Sequence, residues 1–195
     1  MLATVLAALP ACGGRAIRPD RFVGRPEALY DAGLAALGRK DWDNAVIAFE
    51  KLTTDLGRSD KLVPLAHFRL AEARTGNAEY LLAAQSFARV AEEFPDDTLA
   101  PEALFRAGRS YQQLWRTPEH DAGYGMTAQS TYRTLVAIYP DSKQVREANR
   151  QLGVLDEWFA SKEYLTGFYY MRRKAYDPAI IYFKTVITKH PETPR

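Results

Sequence analysis

Apolar side chains recur through most of this chain at the three-to-four-residue spacing of one helix face. Within that rhythm one phrase returns. Ala83, Phe87 and Pro95 stand four and then eight residues apart, and so do Ala128, Tyr132 and Pro140, and Ala179, Phe183 and Pro191. Ala45 and Phe49 lead in the same way to Gly57. Alanine and aromatic four apart share a face, and the breaker ends the helix. Each phrase therefore predicts one amphipathic helix. A second series precedes it: Pro26, Pro64 and Pro101, each followed seven residues later by a small residue, Gly33, Ala71 or Gly108. Proline is tolerated in a first helical turn, where the N–H has no helical partner. The small residue allows two helices to approach closely. Turn chemistry lies between the two series at Gly38-Arg39-Lys40-Asp41 and Thr75-Gly76-Asn77. Trp42, Tyr80 and Tyr176 each stand three before the repeat alanine. These spacings predict helix-turn-helix repeats at about 26–59, 64–97, 101–141 and 142–193, in a domain covering 26–195.

The alanine–aromatic–breaker spacing is that of tetratricopeptide repeats. The expected fold is thus an all-α tetratricopeptide-repeat solenoid of about four repeats. Two repeats depart from the rule. The third lengthens between Gly108 and Ala128, with an insertion that includes residues 116–125. The fourth has no proline between Pro140 and Pro178, and Val145, Ala148, Leu152, Leu155, Trp158 and Phe159 recur at helical spacing. One extended first helix, or two nearly collinear ones, is expected from about Ser142 to Arg172, capped by Asp141 or Ser142.

Composition narrows the function. With 47% hydrophobic and 26% charged residues the chain has the make-up of an ordinary globular domain. A net charge of +2, with bases scattered among acids, gives no ground for nucleic-acid binding. His67, His120 and His190 lie in different repeats and show no metal-ligand spacing. Phosphate-binding loops and serine or cysteine nucleophile motifs are missing. The expectation is a binding module, with no catalytic residue, metal or cofactor.

The first eleven residues are apolar and uncharged, and end at Leu9-Pro10-Ala11-Cys12-Gly13-Gly14. A short apolar run, small residues and then the single cysteine resemble the processing site of a bacterial lipoprotein signal. Cysteine is needed there because its thiolate takes the diacylglyceryl group. Residues 1–11 then form a signal-like segment, Cys12 the lipid attachment site, and 12–25 an extended tether. The alternative is an incidental cysteine. The run is too short to span a membrane as a helix, so the protein would be anchored and not inserted.

First helices line the inner surface of such a solenoid. The fifth residue of each, counting the opening proline as one, is Tyr30, Phe68 and Phe105; Tyr164 takes that place in the fourth repeat. The ninth is Leu34, Glu72 and Arg109, the twelfth Leu37, Thr75 and Gln112. Tyr30, Leu34, Phe68, Phe105, Arg109 and Gln112 are the expected lining of a groove for an extended peptide, with Arg109 and Gln112, one turn apart, placed to hold a carboxylate or peptide backbone. The competing reading packs the aromatic rings between adjacent first helices.

The stretch Trp158-Phe159-Ala160-Ser161-Lys162-Glu163-Tyr164-Leu165-Thr166-Gly167-Phe168-Tyr169-Tyr170-Met171-Arg172-Arg173-Lys174-Ala175-Tyr176, with the long helix after Tyr139-Pro140-Asp141-Ser142, resembles the BamD family of outer-membrane β-barrel assembly lipoproteins. The order of lipidated cysteine, tether and repeats is also similar. Glu119-His120-Asp121 stands where the family usually has an acidic-basic-acidic run, with histidine in the basic place. Family members usually carry a fifth repeat, for which this sequence supplies no residues. The resemblance implies a non-enzymatic, lipid-anchored protein on the periplasmic face of the outer membrane. It implies binding to a POTRA domain of the BamA barrel protein through the C-terminal repeats, company with other assembly-machine lipoproteins, and capture of aromatic-ending signals of unfolded outer-membrane proteins by the N-terminal repeats. The other function open to these repeats is that of a periplasmic adaptor in the Tol–Pal or peptidoglycan system.

Overall fold

A computed structural model describes residues 16–191 and 193. The signal-like segment 1–11 and Cys12 lie outside the described residues. Among those described, the regular structure is helical: a 3-10 turn at Pro19–Phe22, then α1 (Pro26–Gly38), α2 (Trp42–Asp55), α3 (Leu62–Gly76), α4 (Tyr80–Glu93), α5 (Ala100–Leu114), α6 (Gly123–Ile138), α7 (Val145–Arg172) and α8 (Tyr176–Lys189). Each helix packs chiefly on the one before and the one after it. This is the all-α solenoid of helix hairpins, with an extended α7 of 28 residues opening the fourth.

The repeat residues interlock as their sizes require. A Cβ on Gly33 would lie 2.8 Å from the ring of Phe49, one on Gly108 2.6 Å from Tyr132, and one on Gly167 2.8 Å from Phe183. In these three hairpins the aromatic of the second helix rests on the missing side chain of the first, and in the second hairpin Ala71 takes the glycine's place. Three apolar clusters follow along the solenoid. Leu29, Phe49, Leu52 and Leu70 form one; Phe68, Phe87 and Val90 the next; Leu104, Tyr132, Leu135 and Leu155 the third.

Three details differ from expectation. The α7 helix begins at Val145, not near Ser142; Gln144 holds the cap position without a side-chain cap bond. Its amide is committed elsewhere, donating to Glu102 Oε2 at 2.9 Å. The hairpin turns place Lys40, Ala78 and Lys174 in the left-handed region at φ near +60°, whereas the nearby glycines Gly38 and Gly76 close α1 and α3. The tether is also not extended throughout. Ile17 and Phe22 pack against the first core cluster, and the Ile17 backbone N–H donates to Asn44 Oδ1 at 2.7 Å. Their apolar side chains cover the end of the first hairpin.

The third-repeat insertion is likewise packed. Trp115, 1% exposed, lies 5.4 Å from the Trp158 ring and 4.7 Å from that of Phe159. Lys162 Nζ donates to the backbone oxygen of His120 at 2.7 Å. The insertion is thereby fastened to α7.

Candidate functional site

The first helices α1, α3 and α5, with the starts of α2 and α4, enclose a cleft of about 840 Å³. Its two ends differ. At the first hairpin it is lined by Leu34, Leu37 and Trp42, and towards the third by Arg69, Glu72, Glu102, Arg106 and Arg109. Trp42 is fixed from behind, because Gly76 leaves room for its ring: a Cβ there would come within 2.6 Å of the indole.

The charged end is a network crossing from repeat to repeat. Arg106 Nη1 meets Glu72 Oε1 at 2.6 Å and Arg106 Nε meets Glu102 Oε1 at 2.6 Å. Arg69 Nη1 holds the other oxygen of Glu72 at 2.6 Å. Burial pushes the Glu102 carboxyl up, but hydrogen bonds from Gln144 and Arg106 outweigh it and hold it below its ordinary range. The Arg106 guanidinium lies over the rings of Phe68 at 5.0 Å and Phe87 at 5.9 Å, within cation–π range. Arg109 is exposed and makes no ion pair among the described residues. Two arginines of the cleft are thus paired with glutamates, while Arg109 makes no direct ion pair and has Glu147 as a more distant charged neighbour.

Of the six residues expected to line the groove, Leu34, Phe105 and Arg109 line this cleft; Tyr30, Phe68 and Gln112 do not. The aromatic column is present, but its rings turn towards the partner helix of their own hairpin. Tyr30 meets Phe49 edge-on at 5.5 Å, Phe68 meets Phe87 edge-on at 5.3 Å, and Phe105 lies 5.8 Å from Tyr132. Phe68 is 4% exposed and serves as floor beneath Arg106. Gln112 accepts a hydrogen bond from the Tyr132 hydroxyl at 3.0 Å. That hydroxyl is buried, and burial pushes its pKa far up, so it stays a neutral donor. Arg69 and Arg106 were not anticipated. Both are sixth counting from the opening proline of their repeat, one residue past the aromatic, and that shared place was the available signal.

Comparison with known proteins gives the chain's family. Residues 24–195 match the YfiO family, described as outer membrane lipoprotein. The chain belongs to this family. Among relatives, the outer membrane protein assembly factor BamD of Caulobacter vibrioides is 26% identical over 97% of this chain and 62% of its own length. The proteins of the same name from Rickettsia prowazekii and Xylella fastidiosa are 21% and 23% identical, over 85% and 100% of this chain and 65% and 70% of their own lengths. This YfiO-family chain thus spans somewhat under two thirds of the Caulobacter relative. The crystal structure of MamA aligns with a TM-score of 0.48 at 18% identity, over 89% of this chain and 83% of that one. Among the described residues of the YfiO-family chain no helix is long and apolar enough to cross a membrane.

Proposed function

We propose that the chain is a non-enzymatic component of outer-membrane β-barrel assembly. It is held through a lipid on Cys12 at the periplasmic face of the outer membrane. The cleft receives an extended segment of an unfolded barrel protein, with apolar side chains towards Leu34, Leu37 and Trp42 and an acidic or terminal carboxylate at Arg109. The fourth hairpin and its exposed apolar residues meet a POTRA domain of a BamA-like protein, beside the other lipoproteins of the machine. The relatives' shared name supports this reading.

The observation that carries it is the polarity of the cleft, apolar at one end with an unpaired arginine at the other. A peptide gains most from a receptor already ordered, and the cleft walls are fixed by their own ion pairs and rings. The test is titration of a fluorescent peptide copied from the last strand of a barrel protein, as free acid and as amide. Arg109→Ala is expected to weaken the free acid about tenfold, the loss of one charge-assisted hydrogen bond, and to leave the amide nearly unchanged. Equal losses for both forms would remove the carboxylate from the assignment. Phe68→Ala is not the diagnostic variant, since its ring is core.

A further inference from the structure

Outside the cleft, most buried polar side chains of the described residues have partners, while Trp115 Nε1, Ser142 Oγ and Arg74 Nε do not. Asn44, Ser86, Ser110, Gln144 and His190 each make a hydrogen bond. His67 is 5% exposed, and neither ring nitrogen meets a hydrogen-bond partner among the described residues. Arg74, which shares its cavity, has its Nε buried without a partner, and leaving a buried polar group unpaired is unfavourable.

His67 opens onto a cavity of about 210 Å³ between α2, α3 and α4, lined among others by Glu50, Thr54, Arg74, Ser86 and Arg89. At 100° per residue, His67, Leu70 and Arg74 lie on the face of α3 opposite Arg69 and Glu72, so this cavity is separate from the cleft. Arg74 is largely buried, 14% exposed, and bonds Glu50 Oε1 at 2.9 Å and Ser86 Oγ at 2.7 Å. Arg89 is exposed and paired only loosely, at 3.5 Å, with Glu93. Burial lowers the His67 pKa, and Arg89 and Arg74 lower it further against the opposing pull of Glu93. The cavity therefore presents a neutral imidazole N–H, hydroxyl groups and two guanidinium groups. Its resident anion, Glu50, is 56% exposed and can turn outwards.

We propose that this cavity is a binding site for a small oxyanion of the phosphate class, received by the His67 N–H and the guanidinium groups of Arg74 and Arg89. The anion takes the place of the Glu50 carboxylate. A free phosphate and the phosphomonoester of a lipid headgroup share this chemistry. Bound anion favours the imidazolium, so affinity is greater at mildly acidic than at alkaline pH. Glu50, Arg74, Arg89 and Glu93 are the charged groups that face the ring.

The experiment follows the histidine ring proton resonances of the full chain during titration with inorganic phosphate, against chloride at equal ionic strength. The His67 signal is expected to shift and saturate while His120 and His190 stay in place. Arg89→Gln, on the exposed rim, should weaken binding at least tenfold with an unchanged melting temperature. Glu50→Gln should tighten it several-fold, an effect that a purely structural Glu50–Arg74 pair would not give. Competition by phosphatidic acid vesicles, but not by phosphatidylcholine vesicles, assigns the site to a lipid headgroup; no competition assigns it to free phosphate. An unmoved His67 signal, or one that drifts without saturation alongside the other two, overturns the proposal.

Discussion

The first three hairpins and the fourth carry the same motif in different surroundings. Phe49, Phe87 and Tyr132 are all but inaccessible. Phe183, at the same place in the phrase and against the same kind of glycine, is only half-buried. Exposed large apolar side chains also concentrate at the far end: Tyr164, Leu165, Phe168, Tyr169, Met171, Tyr176, Ile180, Ile181 and Ile187 all lie on α7, α8 or the turn between them. In a solenoid each repeat buries one face against its predecessor and the other against its successor. Helices α2, α4 and α6 have both neighbours, and α8 packs chiefly on α7 among the described residues. A repeat motif thus specifies how a hairpin closes, while its burial is set by what stands beside it. Apolar surface left uncovered on this scale marks a place where another surface fits.

The strongest way to break this comparison is to remove the aromatic from each side of it. Phe87→Ala should cost about 3–5 kcal/mol through lost burial and a cavity closed in by neighbours. Phe183→Ala should cost about 1–2 kcal/mol, because the ring has less to lose and the site can collapse. Urea melts of both variants decide the matter, and equal losses would mean that α8 is as tightly held as α4. Hydrogen exchange sharpens it, with α8 expected to open at lower free energy than α4.

Glycines give a second, smaller contrast. Gly108→Ala drives a methyl to 2.6 Å from Tyr132 and should cost about 1–3 kcal/mol. Gly153→Ala in α7 meets nothing within 4 Å and should stabilise by up to about 1 kcal/mol, the helix-propensity difference. Thermal melts should move in opposite directions. The smallest effect concerns the turns, where burial plays no part. Ala78→Gly and Lys174→Gly both relieve a left-handed residue and should each stabilise by roughly 0.5–1 kcal/mol. A gain at one end of the molecule only would show that tertiary packing contributes to the turn.

These contrasts show why part of the molecule was legible in the sequence. The hairpins were readable because alanine, aromatic and breaker report a local geometry fixed within one helix pair. The left-handed turn residues were not, since Lys40, Ala78 and Lys174 are types that ordinarily avoid that region. The α7 boundary slipped for a similar reason: Ser142 is a good cap by type, but its hydroxyl is buried without a partner, and the helix starts after it. The cleft was half legible. Leu34, Phe105 and Arg109 followed from the repeat register, but at position five the rings of Tyr30 and Phe68 complete their own hairpins and do not line the cleft. The pairing of Arg106 with Glu72 joins residues 34 apart, and such a link depends on how one repeat seats against the next.

The bond between the Ile17 amide and Asn44 also has a mechanical meaning. If the lipid sits on Cys12, five residues separate the anchor from the point where the chain is fastened to α2. Even fully stretched, that span is roughly 18 Å. On that proposal the tether would be a short leash clamped at the solenoid's first hairpin, and the body would stay close to the bilayer. It would then act as a boom pivoting there, with the apolar fourth hairpin at its tip. Lengthening the leash leaves every contact in the fold intact while changing the volume that the tip can search.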